Sequence, residues 1–286
     1  MASVMQSAPA TAGVAAMRPL ADWPQPARCG IRGVMTDIDD TLTADGQIVP
    51  AALQALHALH AQGYRLIAIT GRPAGWCAPY AAHWPVDAIV AENGAMAFVR
   101  QGGDAPPARL YQQPQAQREA NYQKMQAVAR HILQTVPRAR LASDSAGREC
   151  DIAIDHSEHH QLDAAEIAQV VACMRQAGMQ ATVSSIHING WYGEHDKWQG
   201  ANWIVRTLLQ RNLQDELDQW VYVGDSTNDE RMFQHFWHSV GVANIARFAP
   251  QLKHLPQYVA ERERGAGFAE MAQALLAAAP QRASRA

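Results

Sequence analysis

The stretch VMTDIDDTLTADG, residues 34–46, runs an apolar segment straight into three aspartates within four positions, Asp37, Asp39 and Asp40. Like charges 4 Å apart repel by about 4 kcal/mol at an effective dielectric of 20. Carboxylates gathered at the end of a buried strand therefore call for something cationic beside them.

The flanking sequence gives the strand its setting. GIRGVMTDID reads as a short apolar strand ending in turn residues. VPAALQALHALHAQG follows with helical spacing and Gly63 as its C-cap, and YRLIAITGR is a second apolar strand. Strand, helix, strand within about 40 residues predicts a right-handed parallel βαβ unit. VDAIVAENGAMAF, WVYVGDSTND and SVGVAN add further strands. Asp37, Asp39, Thr70, Asp225 and Asp229 all fall at carboxyl ends of strands, where open parallel sheets bind ligands. The fold class expected is α/β, a Rossmann-like parallel-sheet core. Between about residues 96 and 190 helical stretches alternate with ECDIAID and QATVSSIHING, whose period-2 pattern predicts a sheet with one exposed face. An α+β domain inserted into the core accounts for this. The expected division is a loose extension over 1–28, a core over 29–95 and 191–280, and a cap over 96–190.

Composition narrows the function classes. With 286 residues and 48% hydrophobic content the chain can bury a substantial core. A formal charge of -3 gives no footprint for nucleic acid. No apolar run reaches the roughly 18 residues of a membrane span. The amino-terminal stretch lacks a basic n-region and is not read as a signal peptide. Cys29, Cys77, Cys150 and Cys173 form no CxxC pair, which fits reduced thiols in a cytoplasmic protein. The tail AAAPQRASRA is expected to fray.

An aspartate can attack phosphorus and form an aspartyl-phosphate, splitting one hard displacement into two. Asp39, two residues beyond Asp37, is placed to protonate the leaving alcohol and later to deprotonate water, help worth on the order of 10²–10⁴-fold. A phosphate dianion needs a hard cation to approach such acids, and Mg²⁺ takes carboxylate, water and phosphate oxygens. Asp225 would add a carboxylate ligand, with Asn228 and Asp229 in the ligand shell or just behind it. Thr70, with Gly71 beside it, offers a hydroxyl and backbone N–H for a phosphoryl oxygen, and Lys197 a compact positive charge.

Taken singly, each motif has a plainer explanation: an Asx-capped turn, a helix N-cap, a solvated lysine. In this order and placement they resemble the four motifs of the haloacid dehalogenase (HAD) superfamily, over roughly residues 31–270. ITGR at 69–72, AENGA at 91–95, the large insert, HDKWQGANWIV at 195–205 and ERERGAGFAEMAQAL at 261–275 are similar to its type IIB branch, the sucrose-phosphatase-like and Cof-like sugar phosphatases. The resemblance implies a C2-type cap and Mg²⁺-dependent phosphomonoester hydrolysis. It makes Asp37 the nucleophile and Asp39 the acid/base, and it gives Thr70 and Lys197 to the phosphoryl group. The metal would be held by Asp225, the Asp37 side chain and the Asp39 backbone carbonyl. The substrate implied is a small phosphate ester such as sucrose phosphate or a related glycosyl phosphate. A phosphomannomutase-like phosphomutase and a non-catalytic metabolite-binding module are the alternatives.

The cap should carry substrate choice. His187 and Asn189 share one strand face, and Arg148, Glu149 and Asp151 precede another strand. Either group could hydrogen-bond sugar hydroxyls, and an exposed sheet face is the competing reading. Asp40 and Asp45 are assigned to the turn, Arg72 to a surface ion pair, and the His-rich DHSEHHQ to a solvated loop. Trp191, Trp198 and Trp203 are assigned to packing.

Overall fold

The computed structural model describes residues 17–102 and 105–279. Residues 1–16 of the expected extension and 280–286 of the tail lie outside the described residues. The elements in chain order are β1 (Arg18–Pro19), α1 (Gln25–Gly30), β2 (Gly33–Thr36), β3 (Thr43–Ala44), β4 (Gln47–Ile48), α2 (Pro50–Ala61), β5 (Arg65–Ile69) and α3 (Ala74–His83). Next come β6 (Ala88–Ala91), β7 (Met96–Val99), β8 (Ala108–Tyr111), α4 (Gln115–Thr135), β9 (Arg140–Leu141), β10 (Ile152–Asp155), α5 (Ala164–Gln176), β11 (Gln180–Val183) and β12 (His187–Trp191). The chain ends with α6 (Lys197–Leu209), β13 (Trp220–Gly224), α7 (Glu230–His235), β14 (His238–Gly241), β15 (Tyr258–Val259) and α8 (Arg264–Ala278).

A nine-stranded sheet runs in the order β1-β15-β14-β13-β2-β5-β6-β7-β8. It is parallel from β1 to β6, and β7 and β8 are antiparallel. Strand alternation sends Val34 and Leu66 to one face, under Leu56 and Leu59 of α2 and Phe268, Met271 and Leu275 of α8. It sends Met35 and Ile67 to the other face, under Ala201, Ile204 and Val205 of α6. Both faces are thus covered, as a parallel sheet requires. Pro50 opens α2 at its first turn, and the chain leaves that helix through Gly63 at φ 78°.

The small sheet, β11-β12-β10-β9, is antiparallel. One face packs Ile152, Ile154 and Ile188 on Met125, Val128 and Ile132 of α4 and Val170 and Met174 of α5. QATVSSIHING is a hairpin, β11 and β12, rather than one strand.

Three expectations change. Residues 17–28 are no loose extension: β1 pairs with β15, and Trp23, 1% exposed, stacks on Tyr258 with centroids 5.6 Å apart. Pro24 and Pro26 mark the start of α1, where a missing N–H is harmless. The boundary drawn at 95/96 falls between β6 and β7, which pair in the same sheet. The small sheet has no exposed face over β10 and β12, where every residue is buried. Among the described residues no helix is long and apolar enough to cross a membrane.

Candidate functional site

Strand register builds the site. Thr36 of β2 stands opposite Val223 of β13 on one side and Ala68 of β5 on the other. The residues that follow therefore emerge together. Asp37 N donates to Val223 O at 2.8 Å, and Thr70 N to Val90 O at 2.9 Å. Asp37, Thr70 and Asp225 are all buried. Acids separated by nearly two hundred positions thus meet because β2 and β13 are neighbours.

Lys197, the first residue of α6, joins the two halves. Its Nζ lies 2.9 Å from Asp37 Oδ1 and donates to Asp229 Oδ1 at 2.7 Å and Asn228 Oδ1 at 3.2 Å. The Tyr222 hydroxyl also donates to Asp229 Oδ1, while Asp229 Oδ2 accepts the N–H groups of Asp225 at 2.9 Å and Ser226 at 3.1 Å. Both Asp229 oxygens are thereby occupied. Gly224 allows this approach, since a Cβ there would lie 2.5 Å from Asp229 Oδ2.

Asp225 is held from the opposite side. Asn244 Nδ2 donates to its Oδ2 at 2.9 Å and to the Asp40 carbonyl at 3.0 Å, and Asn244 Oδ1 accepts Arg264 N at 2.9 Å. Asp40, at φ 54°, is not solvent-facing: its carboxylate pairs with Arg247 and Arg264 at 3.0 Å each. Asp45 stays in the turn, with 93% of its side chain exposed.

Ligand oxygens of Asp37, Asp225 and Asp229 lie within 4.8 Å of one another. Burial raises the Asp37 carboxyl to about 8 against the pull of Lys197, with Asp229 and Asp39 adding repulsion. Burial, then Asp37 and Asp229, pushes Asp225 well above the usual range. Burial alone would lower Lys197, but Asp229 and Asp37 outweigh it and hold the ammonium charged. Lys197 beside Asp37 and Asp229, and Arg247 3.5 Å from Asp225 but shared with Asp40, leave the buried acids with a deficit of positive charge. The all-oxygen donor set suits a hard cation, and these residues could hold a metal ion.

Thr70 is buried, and its Oγ1 accepts Arg72 N at 3.0 Å. The Gly71 carbonyl accepts Arg148 Nη1 at 3.0 Å and Asn189 Nδ2 at 3.4 Å. His187 and Asn189 lie on the β12 face away from α4 and α5: Asn189 Nδ2 donates to Asp151 Oδ2 at 2.9 Å as well as to the Gly71 carbonyl, while His187 Nε2 lies 2.8 Å from Glu158 Oε2, whose other oxygen accepts Arg72 Nη2. Arg148, His187 and Asn189 thus converge on the site, against the competing reading of an exposed face.

Glu149 does not converge. The buried Glu92 carboxylate accepts the backbone N–H groups of Ala74, Glu149, Cys150 and Asp151. That anchors the backbone of residue 149 inward, and its side chain turns outward to Tyr111 Oη at 2.6 Å and Arg109 at 3.1 Å.

Arg72 is not on the surface. It is 3% exposed, and its Nε donates to both oxygens of Asp39 at 2.9 and 3.0 Å. DHSEHHQ is not wholly solvated either. Asp155 accepts the N–H groups of residues 157, 158 and 159, and the loop so formed presents Glu158 to Arg72 at 2.6 Å. Arg72, Glu158 and Asn244 are the site residues missed from sequence. Asn244 had a signal, because it follows SVGVA just past a strand end.

The family model described as haloacid dehalogenase-like hydrolase matches residues 34–133. No curated protein matches the chain in sequence. Among solved structures, Thermoplasma acidophilum 0175 has 17% identity and a TM-score of 0.66, over 86% of this chain and 98% of its own. The sucrose-phosphatase from Synechocystis sp. PCC6803, solved with sucrose and phosphate, has 16% identity and a TM-score of 0.60, over 85% and 97%. The HAD subclass IIB sugar phosphatase BT4131 has 16% identity and a TM-score of 0.55, over 80% and 93%. At these identities the likeness is one of fold alone: an α/β architecture built on a mainly parallel central sheet.

Proposed function

We propose that this chain, haloacid dehalogenase-like in its sequence over 34–133 and in its fold, is a Mg²⁺-dependent phosphatase that hydrolyses a small phosphorylated metabolite, a sugar phosphate, through an aspartyl-phosphate on Asp37. The observation that carries this reading is the placement of Asp37: a buried carboxylate 2.9 Å from Lys197, its oxygen within 4.8 Å of Asp225 and Asp229. The segment from α4 to β12 is the cap that gives the substrate its surroundings. A cytoplasmic setting fits the buried thiols of Cys77, Cys150 and Cys173.

In this reading Asp37 attacks phosphorus in line with the departing alcohol. The P–O bond to the alcohol breaks as the Asp37 O–P bond forms, and Asp39 delivers a proton to the leaving oxygen. Asp39 then takes a proton from the water that attacks the aspartyl-phosphate, releasing inorganic phosphate and restoring Asp37. Lys197, with Thr70, Gly71 and Asn228, binds the phosphoryl oxygens. Asp229 stands behind, its four hydrogen bonds orienting Lys197 and the backbone at Asp225. Mg²⁺, held by Asp37, Asp225 and the Asp39 carbonyl, would neutralise the approaching dianion and orient it. Arg148 and Asn189 place cap polar groups at Gly71 on the phosphoryl side, His187 backs Glu158 on the Asp39 side, and the cap excludes bulk water.

The test is phosphate release from a broad panel of sugar phosphates with and without Mg²⁺, with isomer formation measured alongside. Mg²⁺-dependent release by the wild type, lost in folded Asp37→Ala, is expected. Isomer formation without release, or full turnover by Asp37→Ala, would overturn the reading.

A further inference from the structure

A guanidinium has three separate edges, and in Arg72 each takes a different carboxylate. Nε donates to both oxygens of Asp39, Nη1 lies 3.3 Å from Asp144 Oδ2, and Nη2 lies 2.6 Å from Glu158 Oε1. The Arg72 side chain is 4% exposed and its Cζ sits 5.1 Å from the Trp76 ring. Asp39 and Arg72 belong to the core segment, while Asp144 and Glu158 come from the cap segment between α4 and β12. Each cap acid is itself fixed. Arg148 donates to Asp144 Oδ1 at 2.9 Å, and His187 Nε2 lies 2.8 Å from Glu158 Oε2.

We infer that Arg72 is the positioning residue of Asp39 and transmits cap contact to it: the cap acids hold the guanidinium, and the guanidinium holds both oxygens of the acid/base. This rests on the reading of Asp39 as proton donor to the leaving alcohol. Among the described residues Arg72 is the one side chain that donates to the Asp39 carboxylate. Its remaining edges are engaged by the cap, so it is oriented toward Asp39 rather than toward a phosphoryl group. On the Asp39 side a cavity of ≈430 Å³, bordered by Arg72, Glu158, Ser185, Ile186 and Arg264, leaves room for the leaving alcohol. Seating the cap and aiming the proton donor are then one event. A misaimed donor is costly, since about 1 Å of displacement can lower a rate on the order of 10²-fold.

The test separates proton delivery from every other role. kcat/KM reports steps up to departure of the leaving group, so it is compared for an alkyl phosphate, whose alkoxide needs a proton, and for 2,4-dinitrophenyl phosphate, whose phenolate does not. For Arg72→Gln the alkyl ester should lose about a hundredfold, the low end of general acid catalysis, while the dinitrophenyl ester stays within about threefold. Equal falls for both esters would overturn the inference, because a structural or substrate-binding role affects both. Glu158→Gln, which never touches Asp39, should show a smaller loss of the same selectivity; an unchanged ratio there would overturn the transmission from the cap. Should Arg72→Gln fail to fold, Glu158→Gln decides alone by the same ratio. Asp39→Asn is the control for the premise: if it too lacks leaving-group selectivity, the acid assignment has failed rather than the role of Arg72.

Discussion

Acidification should destabilise this protein in part through His195, the histidine that burial pushes down to about 4. His195 is 6% exposed, its Nε2 has no hydrogen-bond partner among the described residues, and its ring stacks on Trp191 with centroids 5.5 Å apart. Burial alone pushes the imidazole down from 6.5 to about 4. Between those values the unfolded chain binds a proton that the folded chain refuses, so stability falls as pH falls through that window. Each pH unit inside the window is worth about 1.4 kcal/mol, which puts the loss at roughly 2 kcal/mol near pH 5 and roughly 3 kcal/mol below pH 4. Other groups titrate over the same range, so the quantity to read is a difference. Urea unfolding of wild type and of His195→Phe, which keeps the stacked ring, is measured at about pH 7.5 and about pH 5. The gap between the two proteins should change by about 2 kcal/mol in favour of the variant on acidification. An identical pH dependence for both proteins would refute the buried, neutral imidazole.

Trp23→Ala should cost about 3–5 kcal/mol in urea unfolding, since the ring is 1% exposed against Tyr258 and His238; a loss under about 1 kcal/mol would mean that residues 17–28 are dispensable to the sheet. Gly94→Ala should cost at least about 2 kcal/mol, because Gly94 has φ 105° and a Cβ would lie 2.3 Å from Asp196 O; near-neutral stability by thermal unfolding would contradict that close approach. Chelation of divalent ions should abolish phosphate release, with Mg²⁺ restoring it and monovalent cations not; activity that survives exhaustive chelation would count against the metal.

The core of the site was legible because its residues sit at strand ends, and strand ends in a parallel sheet share one edge. Asp37, Thr70 and Asp225 needed only the order of strands to be brought together, whereas Lys197 opens α6 and was legible from the HDKWQGANWIV motif instead. Arg72 was misread because a charged residue looks exposed in sequence; only the three carboxylates that arrive from residues 39, 144 and 158 make its burial affordable. His187 and Asn189 were correctly paired by alternation, since parity is local. That their face is covered depends on Arg148 and Asn189 meeting the Gly71 carbonyl from far along the chain, which no local pattern contains. Parity gave no guide to Glu149, which precedes β10 in irregular backbone tied to Glu92. Pro24 and Pro26 suggested a loose lead-in because prolines open helices as readily as they interrupt them.

The proposed chemistry turns on Asp37 as the residue that takes the phosphoryl group. Rapid acid quenching of the enzyme during turnover of a radiolabelled phosphate ester, followed by peptide mapping, tests it directly. The label is predicted on the peptide that contains Asp37, released by hydroxylamine as an acyl phosphate is. Sustained turnover with the label on a peptide lacking Asp37, or with none on the protein at all, would contradict it.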